Sequence, residues 1–186
     1  LQRENERLRR LLDYSGTFKD IEFVTAKVVG RSDGVWFDVI TLNAGRDQGV
    51  ELNMPVICGD GLVGRVTDVG VNWCKVTSII DSSVNVAVSV ERTRDNCMVR
   101  GVFSTSSKSS SLELYYLPTD LTDLVPGDVI MTSGIGGIYP KGIRVGVVEE
   151  VLLDNDTSGV NAIVTAPVDF LRLEEVMIIT GFGGED

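Results

Sequence analysis

The 186-residue sequence predicts an all-β fold of two related small β-barrels, preceded by the C-terminal end of an α-helical coiled coil. Three observations carry this expectation. The apolar period changes from about 3.6 in the first dozen residues to 2 from Glu22 onward. About a dozen short β-branched runs follow, with turn residues at regular intervals. The two halves also echo one another. Val63-Gly64-Arg65-Val66-Thr67-Asp68-Val69 is matched by Val145-Gly146-Val147-Val148-Glu149-Glu150-Val151, and Ile80-Asp81 by Val168-Asp169. A chance likeness between two hairpins is the alternative to a true repeat.

The elements are justified in order. In Leu1 to Leu12, a heptad register with Leu1 and Leu8 at d puts Asn5 and Leu12 at a. Charged residues fill most other places, which leaves a narrow seam suited to a dimeric coiled coil. An a-position Asn sets register and oligomer state at a cost in stability. The expectation is the last turns of a longer helix, because two heptads alone do not hold together in water. A capping helix on a β domain is the plainer alternative. Gly16 is the expected stop.

Strands are expected at 22–29, 35–42, 54–58, 62–69, 73–80 and 84–90, then at 97–103, 112–117, 128–132, 143–153, 160–166 and 174–180. Val84, Val86, Val88 and Val90 share one face of their strand, with Asn85 and Ser89 on the other. Residues 1–20 are assigned to helix and linker, 21–95 to the first barrel and 96–186 to the second. The last strand is left free to return to the first barrel. Ser104 to Ser111 is small and polar and reads as a loop or hairpin tip.

Composition narrows the chemistry. A net charge of −10 disfavours nucleic acid and anionic lipid as partners. No run reaches the roughly 18 apolar residues of a membrane span. Cys58, Cys74 and Cys97 are far apart and without a CxxC pair, so neither a zinc site nor a disulfide framework is expected. Paired barrels raise the chymotrypsin-like double-barrel arrangement, yet the chain has no histidine, which removes Ser-His-Asp and Cys-His catalysis. A Ser-Lys pair around Lys108 would lack the desolvation a catalytic lysine needs.

Asp120, Asp123 and Asp128 read as turn residues around Val125-Pro126-Gly127. Asp154 to Gly159 resembles a calcium loop but has no Glu at its twelfth position. Gly134-Ile135-Gly136-Gly137 leads into a strand and not into a helix, which fits tight turns better than a phosphate cradle. No catalytic, cofactor or metal site is therefore expected.

The sequence resembles the rod shape-determining protein MreC family. The likeness is carried by Glu4-Asn5, Leu8-Arg9 and Leu11-Leu12, and by Gly61-Leu62-Val63-Gly64-Arg65-Val66. Gly127-Asp128, Thr132-Ser133-Gly134, Pro140-Lys141-Gly142-Ile143, Val145-Gly146 and Val148 complete it. Each motif alone is weak, and the specificity lies in their combination behind a leucine/asparagine helix.

The resemblance implies a non-enzymatic, homodimeric or filament-forming scaffold of cell-wall elongation. It also implies a single-pass anchor in the inner membrane, with this domain on the extracytoplasmic side. The partners it implies are class B penicillin-binding proteins, MreD, RodA and MreB. Dimerisation is expected through Leu1, Asn5, Leu8 and Leu12. The expected partner-binding surface comprises the 112–117 strand, with Leu114, Tyr115 and Tyr116, and the glycine-rich segment 134–143, with Ile138 and Tyr139, for which packing in the core is the alternative. A glycan- or peptide-binding module and a degenerate protease remain the other readings. The 6% aromatic content offers little platform for sugars.

Overall fold

The computed structural model describes residues 21–31, 39–81, 83–101, 111–118, 124–153, 159–170 and 172–182, together with Gln2. Among the described residues twelve strands are formed: β1 Ile21–Arg31, β2 Val39–Leu42, β3 Pro55–Cys58, β4 Gly61–Val69, β5 Cys74–Ser78 and β6 Asn85–Val90. They continue as β7 Asn96–Gly101, β8 Ser111–Pro118, β9 Val129–Thr132, β10 Arg144–Leu153, β11 Gly159–Thr165 and β12 Glu175–Phe182. The loop after β2 carries one short departure from the expected all-β pattern, a 3-10 turn at Arg46–Gln48. There the Gly45 amide donates to the Gln48 side chain at 2.7 Å.

The strands close two six-membered barrels, ordered β1-β12-β3-β4-β5-β2 and β10-β11-β8-β7-β6-β9. Every pairing is antiparallel. Closure removes free sheet edges, which suits a chain this rich in β-branched residues. The alternation read from the sequence sets the inward faces. Val84, Val86, Val88 and Val90 are at most 1% exposed, while Ala87 and Ser89 are half-buried and Asn85 is exposed.

The internal echo is a real structural repeat. In the second ring, β7 through β11 take the places that β1 through β5 take in the first. β4 and β10 carry bulges at matching points. The β4–β5 register shifts between Val66 and Asp68, and the β10–β11 register between Val148 and Glu150. The bulge residues also bond alike. The Thr67 and Thr77 hydroxyls lie 2.9 Å apart, and Thr165 donates its hydroxyl to the Glu149 carboxylate at 2.7 Å. Gly64 and Gly146 serve one purpose. A β-carbon on Gly64 would overlap the Thr77 carbonyl, and one on Gly146 would lie 2.7 Å from the Thr165 carbonyl oxygen.

The sixth strand of each barrel comes from the other half of the chain. β6 follows β5 but closes the second barrel between β7 and β9, and β12 follows β11 but closes the first between β1 and β3. This corrects the expected division at residue 95: β6 belongs to the second barrel, so the crossover falls in residues 79–84. Pairing of β6 with β7 and β9 is non-local, and hydrophobic period alone carries no information about it. The coiled-coil positions Leu1, Asn5, Leu8 and Leu12 lie outside the described residues, as do residues 32–38, most of the serine-rich run and Asp154 to Ser158.

Candidate docking surface at the inter-barrel cleft

The second-barrel loop between β9 and β10 is shaped by Thr132. Its buried hydroxyl donates to the Pro140 carbonyl and accepts from the Ile143 amide at 2.9 Å, which ties the two ends of the loop together. Gly134, Gly136, Gly137 and Gly142 have φ between 75° and 94°, so the loop turns tightly as the glycine run predicted. The loop thereby turns one residue inward and its neighbours outward. Tyr139 is 5% exposed, and burial pushes its hydroxyl up to about 12, partly offset by the charge of Arg65 on β4. Ile135 and Ile138 remain 60% and 38% exposed.

Ile138 faces the first barrel across a cleft of about 340 Å³. Leu52 and Met54 of the β2–β3 connection and Pro55 at the start of β3 form one wall, and Ile179 to Gly181 of β12 another. Leu52 stands 59% exposed at the cleft. The two barrels also meet at Gly61, where a β-carbon would overlap the Arg144 carbonyl. The cleft offers Leu52, Met54, Pro55, Ile138 and Ile179 as apolar lining, interrupted by the polar Asn53 and Thr180.

The five expected surface residues do not form one face. Leu114 is fully buried and Tyr139 nearly so, and both belong to the core, which corrects their assignment to a docking surface. Inward alternation on β8 accounts for Leu112 and Leu114, and the Thr132 staple for Tyr139. Tyr115 points outward on β8. It donates to Asn85 Oδ1 at 2.6 Å, and its ring lies 4.9 Å from the Arg100 guanidinium, which is itself paired with Glu113 at 3.1 Å. The Tyr116 side chain lies outside what is described. Because β8 and β9 are three strands apart around their ring, Tyr115 and Ile138 mark different sides of the second barrel. Leu52 and Met54 were missed, and Ile135 was covered only by the glycine-rich segment 134–143 that contains it. The available signal was an apolar residue inside a polar turn, as in Glu51-Leu52-Asn53 and Gly134-Ile135-Gly136.

Charge elsewhere is structural. Asp128 is 6% exposed and accepts a two-point hydrogen bond from Arg92, at 2.9 and 3.0 Å. It also accepts from the Val125 amide at 3.0 Å, the turn role expected of it. The Arg92 hydrogen bond holds its carboxyl below the usual range, against the opposing effect of burial. Cys58, Cys74 and Cys97 are buried and none is in a disulfide. Burial raises the Cys74 thiol to about 11, and burial with the Asp95 charge raises Cys97 to about 12. No helix among the described residues is long and apolar enough to cross a membrane.

The family profile for the barrel core of the rod shape-determining protein MreC matches residues 28–180. This chain belongs to the MreC family. It is 30% identical to the cell shape-determining protein MreC of Listeria monocytogenes over 182 residues, which cover 96% of this chain and 60% of that protein. The match thus spans under two thirds of the relative's length. A solved MreC structure superposes with a TM-score of 0.81 at 27% identity, covering 96% of this chain and 98% of that one.

The fold is shared more distantly with a chain in a complex between penicillin-binding protein PBP2 and MreC from Helicobacter pylori. There the TM-score is 0.66 at 14% identity, with 87% of this chain and 99% of that one covered. Two of the motifs that carry the MreC resemblance fall where the barrels face each other: Gly61 opens β4 against Arg144, and Thr132 with Pro140 to Ile143 builds the loop that bears Ile138.

Proposed function

We propose that this chain is a non-enzymatic scaffold of cell-wall elongation, docking a class B penicillin-binding protein to maintain rod shape. Membership of a family of cell shape-determining proteins supports the process. The observation that carries the docking role is the inter-barrel notch, where Leu52 and Ile138 stay exposed. Such an anchor pocket concentrates binding energy in a few apolar contacts. The Helicobacter pylori complex is a fold neighbour whose MreC is described with PBP2, which motivates the choice of partner. In this reading a segment upstream anchors the domain on the outer face of the inner membrane. Leu1, Asn5, Leu8 and Leu12 pair two copies, and bivalent display raises avidity for clustered synthases. MreD, RodA and MreB are the remaining partners of the proposal.

Affinity capture from solubilised membranes, with the domain and its upstream helix as bait, tests this. Recovery of a class B penicillin-binding protein, lost with Leu52→Asp plus Ile138→Asp at an unchanged melting temperature, supports the reading. Recovery that survives both substitutions removes the notch as the docking site. Capture of wall fragments alone points to a glycan- or peptide-binding module instead.

A further inference from the structure

We propose that β12 presents a free stretch of sheet edge in the inter-barrel cleft, and that an extended apolar segment of a partner polypeptide adds to it as a strand. The identity of the partner rests on the docking role proposed above; the mode of binding does not.

The edge follows from the register. On one side β12 pairs with β1 as far as Phe182, opposite Ile21. On the other it pairs with β3 only at Met177 and Ile178, opposite Ile57 and Val56. The next rung would set Ile179 opposite Pro55, which has no N–H to give the ladder. Ahead of Pro55 the main chain is committed to β4. Asn53 has a φ of 67°, its amide donates to the Val66 carbonyl at 2.8 Å, and the Met54 carbonyl accepts from the Val66 amide at 2.9 Å. Among the described residues, β12 from Ile179 to Gly181 therefore has no strand beside it on this side.

A bulge falls at the same place. Phe23 pairs with Ile179 and Glu22 with Gly181, so Thr180 has no β1 partner either. Ile179, Thr180 and Gly181 are also the β12 residues that line the cleft. A row of main-chain donors and acceptors is matched by another main chain, which selects an extended peptide over a compact apolar body. Three residues of edge run for about 10 Å and support few hydrogen bonds. Apolar contact must supply the rest. Leu52 and Ile138, both exposed and lining the cleft, can grip a side chain of the added strand, and exposed Phe23 extends the apolar rim opposite Ile179.

The test selects binders from a phage-displayed library of short linear peptides on the intact chain, with the Leu52→Asp plus Ile138→Asp variant as counter-selection. The best peptide is then resynthesised with one backbone N-methyl group at each position in turn. Strand addition predicts a period of two: methylation at alternate positions costs about tenfold in affinity, the loss of one hydrogen bond, and is tolerated between them. Hydrogen exchange should slow about tenfold or more at one or more of the Ile179, Thr180 and Gly181 amides when the peptide binds. Both readings use the parent chain, so they stand whatever the stability of the variant. Tolerance of methylation at every position overturns strand addition, as does unchanged exchange at residues 179–181 or failure to select any peptide. The docking role is read separately, by whether the peptide blocks capture of the penicillin-binding protein. Capture that persists with the cleft filled removes that partner from the cleft and leaves the strand site standing.

Discussion

Gly61, at the start of β4, lies against the Arg144 carbonyl at the start of β10, with no room for a β-carbon between the two barrels. Its φ of 151° is also one that side chains rarely adopt. Backbone thus meets backbone at the seam, and the relative position of the barrels is set there by main-chain geometry.

Gly61→Ala should therefore cost roughly 3 kcal/mol, from overpacking added to backbone strain. Gly49→Ala is the control: its φ is 87° and open space surrounds it, so only the backbone cost of about 1–2 kcal/mol is expected. Urea denaturation of the two variants checks the difference. Equal losses would show that the seam is looser than the geometry requires.

Asp128 makes stability fall in acid. Its carboxyl ionises at lower pH folded than unfolded, so the unfolded chain binds the proton first. Its contribution is complete above the ordinary carboxylate range and is lost as pH drops through the folded value. Asp128→Asn should flatten this limb and cost roughly 2 kcal/mol near neutral pH, because Arg92 loses its charged partner. Chemical denaturation from pH 2 to pH 7 reads both effects.

Native thiols should be inert at pH 8. Cys74 and Cys97, raised to about 11 and about 12, hold almost no thiolate, and Cys58 is also buried. A chromogenic disulfide reagent should label none of them before unfolding and all three in denaturant. Rapid labelling of Cys97 in the native state would show that the second barrel opens locally.

Leu114 and Ile138 should separate sharply in stability. Leu114→Ala removes a fully buried side chain and should cost about 2–5 kcal/mol. Ile138→Asp alters an exposed loop residue and should stay within about 0.5 kcal/mol. Thermal melting of both variants makes the comparison, which also establishes that Ile138 can be tested for docking without unfolding the domain.

Much of the fold could be read in advance because strand period is a local property. The valine alternation of β6 set its buried face, and the Gly64 and Gly146 echo announced two related units. The surface was harder. Tyr139 comes two residues after Gly137, a glycine with positive φ, where no period runs, so its inward turn depends on the Thr132 staple. Leu114 shares its alternation with Leu112, and only barrel closure decided that this face points in. The apolar cleft was legible only as misplaced residues in turns, since its walls come from positions 52, 138 and 179.

By itself the sequence determined the β class, the strand positions, the repeat and the family, because each is written in short-range period and motif. Tertiary structure alone decided the exchange of β6 and β12, the seam at Gly61 and Arg144, and the inter-barrel notch. Those features arise from pairing between residues far apart in the chain. Hydrogen bonding across a sheet satisfies any strand of suitable period, so only packing of the whole selects the partner.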